Sequence, residues 1–87
     1  MHGVVVRVSI QNRDGAEAAL RERVVPNVSK APGFVAGYWL GAERDGLSLV
    51  VFDSEENARA MADRVRSVAP EQVTVEEVDV REVVAHA

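Results

Sequence analysis

The stretch FVAGYWLGAERDGLSLVVF, residues 34–52, decides the fold. Its two ends are rich in aromatic and branched apolar residues, the types that favour β-strands. Between them, Glu43-Arg44-Asp45-Gly46 contains an Asp-Gly pair, which suits a hairpin turn because glycine adopts the positive φ angles that such turns need. We therefore predict two antiparallel strands, residues 34–41 and 47–52, joined by a tight turn.

A helical pattern precedes this hairpin. Its apolar residues recur at helical spacing: Leu20, Val24 and Val28. Asp14 suits the N-cap, since Glu17 stands three residues later and completes a capping box. Pro26 lies inside the pattern, where its missing amide donor and its clash with the preceding turn predict a kink or a short last turn. Ala31-Pro32-Gly33 ends this helix before the hairpin begins.

A second helical pattern follows the hairpin. Either Asp53 or Ser54 suits its N-cap, and Glu55 and Glu56 suit the positive end of the helix dipole. One apolar stripe runs along it: Ala58, Met61, Ala62, Val65 and Val68. Ala69-Pro70 ends the pattern, so we predict a helix of about four turns.

Strands are predicted at both ends of the chain. Residues 4–10 alternate in the period-two pattern of a strand. The last strand has valines at positions 73 and 75 and then at 78 and 80, and this change of parity predicts a β-bulge near Glu76-Glu77. The order strand-helix-strand-strand-helix-strand predicts one α+β domain over residues 1–87. Its fold is ferredoxin-like, a four-stranded antiparallel sheet with both helices on one face.

The composition narrows the classes of function. A chain of 87 residues, of which 47% are hydrophobic, suffices for one folded domain. The net charge of −4 gives no positive field for nucleic acid or for an anionic membrane, so neither is expected as a partner. No cysteine is present, which excludes disulfides and thiolate chemistry. The N-terminal apolar run has no basic start and stops at Arg7, so it is not read as a signal peptide, and a cytoplasmic location is expected.

Strand parity predicts which residues lie on each face of the sheet. The residues expected to face the helices are Val4, Val6, Val8, Ile10, Phe34, Ala36, Tyr38, Leu40, Leu47, Leu49 and Val51. The opposite face would then carry four large apolar residues, Val35, Trp39, Val50 and Phe52, where a sheet that met water would be polar. A patch of several hundred Å² marks an interface or a ligand groove. A second copy of the chain is the commonest cover for such a patch, so we predict a homodimer.

Two motifs carry a family resemblance. The segment PGFVAGYW, residues 32–39, followed by FDSEENA, residues 52–58, resembles the dimeric α/β-barrel superfamily and, within it, small proteins related to antibiotic-biosynthesis monooxygenases. The resemblance implies a dimer whose sheets face each other, with a pocket in each subunit between sheet and helices or inside the barrel. Some members are cofactor-independent oxygenases of aromatic polyketides, and others degrade haem. The haem degraders use an Asn on the first strand with a Trp and a His, whereas this chain has Ser9 on that strand and neither His2 nor His86 on the second helix. Haem is therefore not expected as a substrate.

The candidate ligand-binding residues share one predicted sheet face: Arg7, Ser9, Trp39, Ser48 and Phe52. Trp39 would stack on an aromatic ligand in a gap left by Gly37 and Gly41, or it would fill a subunit interface. The guanidinium of Arg7 would hold a carboxylate, phenolate or enolate, or it would form an inter-subunit ion pair with an acid of the last strand, at position 77 or 82. The two serines would bind a ligand or each other.

Two functions stay open. The first is a cofactor-independent, monooxygenase-like protein that acts on or binds a small aromatic or polycyclic compound. The second is a non-catalytic, dimeric ligand-binding or stress-related protein of the same fold. No metal-ligand spacing, catalytic triad or nucleotide fingerprint is present, so no metal, cofactor or catalytic residue is assigned. An open cavity beside Trp39 would favour the first function, and a filled barrel would favour the second.

Overall fold

The predicted order of elements is confirmed by the computed structural model, which describes all 87 residues. The four strands are β1 (His2–Ile10), β2 (Phe34–Gly41), β3 (Asp45–Phe52) and β4 (Val73–Glu82). The first helix has three segments, Arg13–Ala19, Leu20–Val24 and Val25–Ser29, and the second helix is Glu55–Val68. The strands form one antiparallel sheet in the order β2-β3-β1-β4, which is the ferredoxin-like α+β fold.

The predicted bulge in β4 is confirmed. Arg7 of β1 lies opposite Glu77, but Val8 lies opposite Val75, so Glu76 is the extra residue. A one-residue slip in a strand moves every later side chain to the other face. The bulge cancels this slip, and all four valines of β4 therefore face the helices.

The first helix begins two residues earlier than predicted. Its N-cap is Asn12, whose Oδ1 accepts a hydrogen bond from the Gly15 backbone N at 3.0 Å, and Asp14 lies in the first turn instead. The predicted disturbance at Pro26 takes the form of a π-helical segment, Leu20–Val24, directly before it. The N–H of Val25 reaches back to the Leu20 carbonyl, an i→i−5 bond that widens the helix by one residue where proline offers no donor of its own.

The second helix begins as predicted at one of its two candidate caps. The Ser54 Oγ accepts a hydrogen bond from the Asn57 backbone N at 3.2 Å, while the Asp53 carboxylate accepts one from the Asn57 side chain at 2.9 Å. The predicted apolar stripe packs on the sheet, with Ala58, Met61 and Val65 buried. No helix is long and apolar enough to cross a membrane.

The predicted face of β1 is right and that of β3 is wrong, while in β2 the prediction holds at Phe34 and fails from Ala36 onward. Val50 pairs with Val4, and Phe52 ends the same face, so both are buried under the helices. Phe52 is fully buried, with its ring edge-on to Phe34 at a centroid distance of 6.3 Å. In β2 the register shifts between Phe34 and Ala36, and this irregularity turns Trp39 toward the helices. The residues left on the outer face of this hairpin are Ala36, Tyr38, Leu40, Leu47, Leu49 and Val51.

Candidate functional site

A cavity of about 380 Å³ lies between the sheet and the two helices. Its floor is the helix-facing side of β1 and β3, its far wall is the second helix, and the first helix forms its roof. The first helix comes near the sheet mainly at its last segment, against β2. Its earlier turns stand off the sheet, and the small side chain of Ala16 leaves further space beneath the roof. Most of the lining is apolar, which suits a hydrophobic guest.

Trp39 forms one wall of this cavity. The indole lies directly over Gly37, because a Cβ added to that glycine would stand only 2.9 Å from the indole Cη2. The gap predicted at Gly37 is therefore taken up by the tryptophan itself. At Gly41 an added Cβ would meet only the guanidinium of Arg13, at 3.7 Å. The open space beside the indole thus lies toward Gly41, on the helix side of the sheet and not on the opposite face where the sequence placed it.

Three charged side chains line the cavity, and all belong to the first helix: Arg13, Glu17 and Arg21. The Arg13 Nη1 donates to the backbone carbonyl of Ala42 at 2.6 Å, which ties the start of the helix to the β2–β3 turn. Its Nε lies 3.3 Å from the Glu17 carboxylate. Sequence reasoning missed these residues, although their spacing of four placed them on one face of a helix.

The five predicted site residues do not share a face. Trp39 and Ser48 line the cavity, and Phe52 is buried in the core on the same side of the sheet. Arg7 and Ser9 lie on the outer face, because their strand neighbours Val6 and Val8 face the helices. The prediction of one shared face is therefore wrong, while the binding of a ligand by any of these residues stays a prediction.

The polar residues of the outer face are engaged within the chain. Arg7 Nη1 lies 3.5 Å from the Glu77 carboxylate, with both side chains more than half exposed. Ser9 Oγ donates to Glu76 at 2.9 Å. Both acids sit at the bulge of β4, so the bulge supplies partners for both β1 residues. An exposed pair of this kind contributes little stability.

The outer face of β2 and β3 is apolar and open, whereas that of β4 carries Asp79 and Arg81, which pair with each other at 2.6 Å. The exposed large side chains of this β2–β3 surface are Tyr38, Leu40, Leu47 and Leu49. Tyr38 and Leu40 are about three-fifths exposed, at 59% and 60%. Three of the four residues predicted to form this patch, Trp39, Val50 and Phe52, face the helices instead. Val35 is exposed at the irregularity of β2. The β2–β3 side of the outer face nevertheless keeps the apolar character that the sequence indicated.

One side chain outside the cavity has a shifted pKa. The pKa of Glu55 is lowered from its ordinary value of 4.5, first because the Arg59 side chain donates a hydrogen bond to it, and also because the positive charge of Arg59 stabilises the carboxylate. The Arg59 Nη2 lies 2.7 Å from the carboxylate oxygen, one helical turn away. Glu55 lies in the first turn of the second helix, where its negative charge also suits the positive end of the helix dipole.

Comparisons with known proteins support the fold. No protein family profile matches the chain, and no curated protein matches it. Among solved structures, the chain is similar to MhuD, a haem degrader from Mycobacterium tuberculosis, described with two haems bound in its active site. The two share 24% sequence identity over 97% of this chain and 98% of that one, with a TM-score of 0.56. The likeness extends over the whole domain and shows that the two chains share the fold.

Proposed function

We propose that this chain is a homodimeric, monooxygenase-like protein that takes a small aromatic or polycyclic compound into the cavity between its sheet and its first helix. The observation that carries the proposal is the open, apolar cavity of about 380 Å³ with Trp39 in its wall. Sites for small molecules are typically clefts of about 300–1,000 Å³ with few polar groups, which set the orientation of the ligand.

The lining suits a flat, apolar guest. Valine side chains of β1 form the floor, and the indole of Trp39 offers an aromatic face or edge for stacking. Ser48 is the one uncharged polar side chain of the lining and offers a hydroxyl to a carbonyl or phenol of the ligand. The site thus has the elements of recognition for an aromatic compound.

The monooxygenase-like part of the proposal rests on the family resemblance together with the shared fold. Its alternative is a non-catalytic, ligand-binding or stress-related dimer of the same fold. Oxygen consumption distinguishes the two once a ligand is known: a cofactor-independent oxygenase consumes oxygen in proportion to the ligand supplied, without added metal or flavin. A tight ligand that causes no oxygen uptake would favour the alternative.

Haem fits this cavity poorly. Neither His2 nor His86 lines it, so the lining offers no imidazole as an axial ligand for iron. We therefore expect titration with haem to give no sharp, stoichiometric shift of its Soret band. A one-to-one shift followed by breakdown of the porphyrin with ascorbate would contradict this expectation.

The dimer is proposed from the outer face of the sheet. Leu47 and Leu49 lie between β1 and β2 residues on that face and join its exposed side chains into one patch. Covering several hundred Å² of apolar surface contributes several kcal/mol to the free energy of association, at ~25 cal/mol per Å². A two-fold symmetric partner covers the same patch on both chains at once. A cytoplasmic location remains the expectation from the sequence.

Quenching of tryptophan emission tests the cavity. Trp39 is the only tryptophan, so quenching by added naphthoquinones and polyphenols reports on this wall. Gly41→Val should fill the open space beside the indole and weaken binding about fivefold to thirtyfold, as a steric cost of about one or two kcal/mol would. Ala42→Val is the control, because it places a valine one residue further on, outside this lining. Equal quenching of the wild type and the Gly41→Val variant would place the ligand elsewhere and refute the proposal.

A further inference from the structure

The charges of the cavity are unevenly balanced. Arg13, Glu17 and Arg21 are its only ionisable lining residues, and the remaining lining is almost wholly apolar. Glu17 pairs with Arg13, at 3.3 Å from its Nε. Arg21 forms no salt bridge. The roof of the cavity therefore carries one excess positive charge.

Arg13 also keeps part of its guanidinium available. Its Nε and Nη1 are occupied by Glu17 and by the Ala42 carbonyl. Its Nη2 makes no hydrogen bond and lies on the side of Gly41, where the cavity is open. The two contacts hold the guanidinium in place, so a ligand that meets Nη2 finds it already oriented.

Arg21 belongs to the π-helical segment of the first helix, Leu20–Val24. Three residues of this segment, Leu20, Arg21 and Val24, line the cavity together. Single π-helical turns are frequent at functional sites, since they widen the helix and change which side chains face inward. The cationic side chain therefore stands in the part of the roof whose geometry departs from a regular helix.

We infer from these observations that the ligand is an amphipathic anion: a flat aromatic body that lies against Trp39, with a carboxylate or sulfonate group that meets Arg21 and the free Nη2 of Arg13. This inference rests on the proposed function, because it assigns the ligand class of the same cavity. Arginine binds such acids well, since its planar fork stays charged and donates parallel hydrogen bonds. Both arginines are also exposed to solvent, so added salt should screen the attraction.

A pair of fluorescent probes tests the charge requirement directly. 8-Anilinonaphthalene-1-sulfonate and N-phenyl-1-naphthylamine share one ring system and differ in the sulfonate. The wild-type chain should bind the sulfonate probe about tenfold more tightly than the neutral probe, as one charge-assisted hydrogen bond would provide. Added salt should weaken the binding of the sulfonate probe and leave that of the neutral probe unchanged.

Two variants locate the charge. Arg21→Gln should lower the affinity for the sulfonate probe about tenfold. It should change the affinity for the neutral probe less than about twofold. Arg23→Gln is the matched control, because Arg23 stands on the same helix, carries the same charge and does not line the cavity. The control should change neither affinity, and thermal unfolding should confirm that both variants fold.

The outcomes separate this inference from the proposed function. If both probes bind with equal affinity, and Gly41→Val weakens both, the cavity binds ligands but the charge requirement is refuted. If Arg21→Gln and Arg23→Gln lower the affinity for the sulfonate probe equally, the probe is attracted by the positive charge of the protein surface in general. The inference is then also refuted. If neither probe binds in the cavity, the proposed function fails and this inference fails with it.

Discussion

Replacing Phe52 by alanine tests the assignment of the sheet faces at the most buried point of the core. Phe52 is fully buried, and its ring packs edge-on against Phe34 at 6.3 Å. Truncating a buried phenylalanine removes its transfer free energy and leaves a cavity, at a typical cost of about 3–5 kcal/mol. A domain of this length has a total stability of roughly 4–13 kcal/mol, so the loss in Phe52→Ala amounts to at least about a quarter of it and at most all of it.

Leu49→Ala provides the comparison on the other side of the sheet. Leu49 lies on the same strand but on the outer face, where its side chain is 38% exposed. In the monomer, Leu49→Ala should lower the free energy of unfolding by about 1 kcal/mol, because folding removes only part of the leucine side chain from water. In the proposed dimer the cost should grow with protein concentration, since the outer face is then covered.

Urea unfolding followed by far-ultraviolet circular dichroism measures both effects. With an m-value of ~1.5 kcal/mol per M, Phe52→Ala should lower the midpoint by roughly 2–3 M, or leave the chain unfolded in buffer. Phe52→Leu keeps most of the volume and should lower the midpoint by no more than about 1 M, which gives a measurable value if the alanine variant does not fold. Equal and small shifts for Phe52→Ala and Leu49→Ala would refute the assignment of Phe52 to the core.

Three further predictions follow from other parts of the chain. Leu49→Asp should convert the proposed dimer into a folded monomer, seen as a halved mass in sedimentation at micromolar concentration; an unchanged mass would exclude this face as the interface. Gly33 has a φ of +78°, and an added Cβ would collide with the side chains of Asp53 and Asn57. Gly33→Ala should therefore cost at least about 1 kcal/mol in urea unfolding, and a neutral effect would mean that this turn relaxes freely. The lowered pKa of Glu55 stabilises the fold above the ordinary value of 4.5, and this contribution is lost as the pH falls through the lowered pKa. In an NMR titration Arg59→Gln should return that pKa toward 4.5, and an unchanged pKa would mean that Arg59 is not its cause.

The order of the elements is predictable from this sequence because its apolar residues recur with the periods of strands and helices. The alternation in β1 and the stripe of the second helix follow directly from which residues must be buried. Even the bulge of β4 is visible, since the valines change parity at Glu76-Glu77. Such features depend on local sequence alone, and the structure places them where the pattern predicts.

The faces of the hairpin are not predictable in the same way. In β3 both parities are apolar, and Ser48 is the one polar residue between the predicted strand ends. A polar residue suggests the solvent side, but Ser48 lines the cavity instead. What settles the face is the pairing of Val50 with Val4, a contact between residues far apart in the chain. In β2 the irregularity after Phe34 inverts the alternation without a change in the apolar pattern.

The role of the charged residues in lining the cavity could not be predicted for a related reason. The spacing of Arg13, Glu17 and Arg21 shows that they share a helix face, and such a ladder is usually exposed to solvent. Only the distance between helix and sheet reveals that this face borders a cavity. That distance depends on how the small residues beneath the roof pack, which periodicity does not report.

Strand β2 forms one edge of the sheet, so one row of its backbone amides and carbonyls has no neighbouring strand. Natural edge strands are commonly protected from unwanted strand addition by charges or prolines. The opposite edge, β4, carries several acids, whereas the eight residues Phe34–Gly41 contain no charge and no proline. Apart from its irregularity near Val35, β2 is an open template for another chain in extended conformation. Concentrated solutions should therefore aggregate first through this strand.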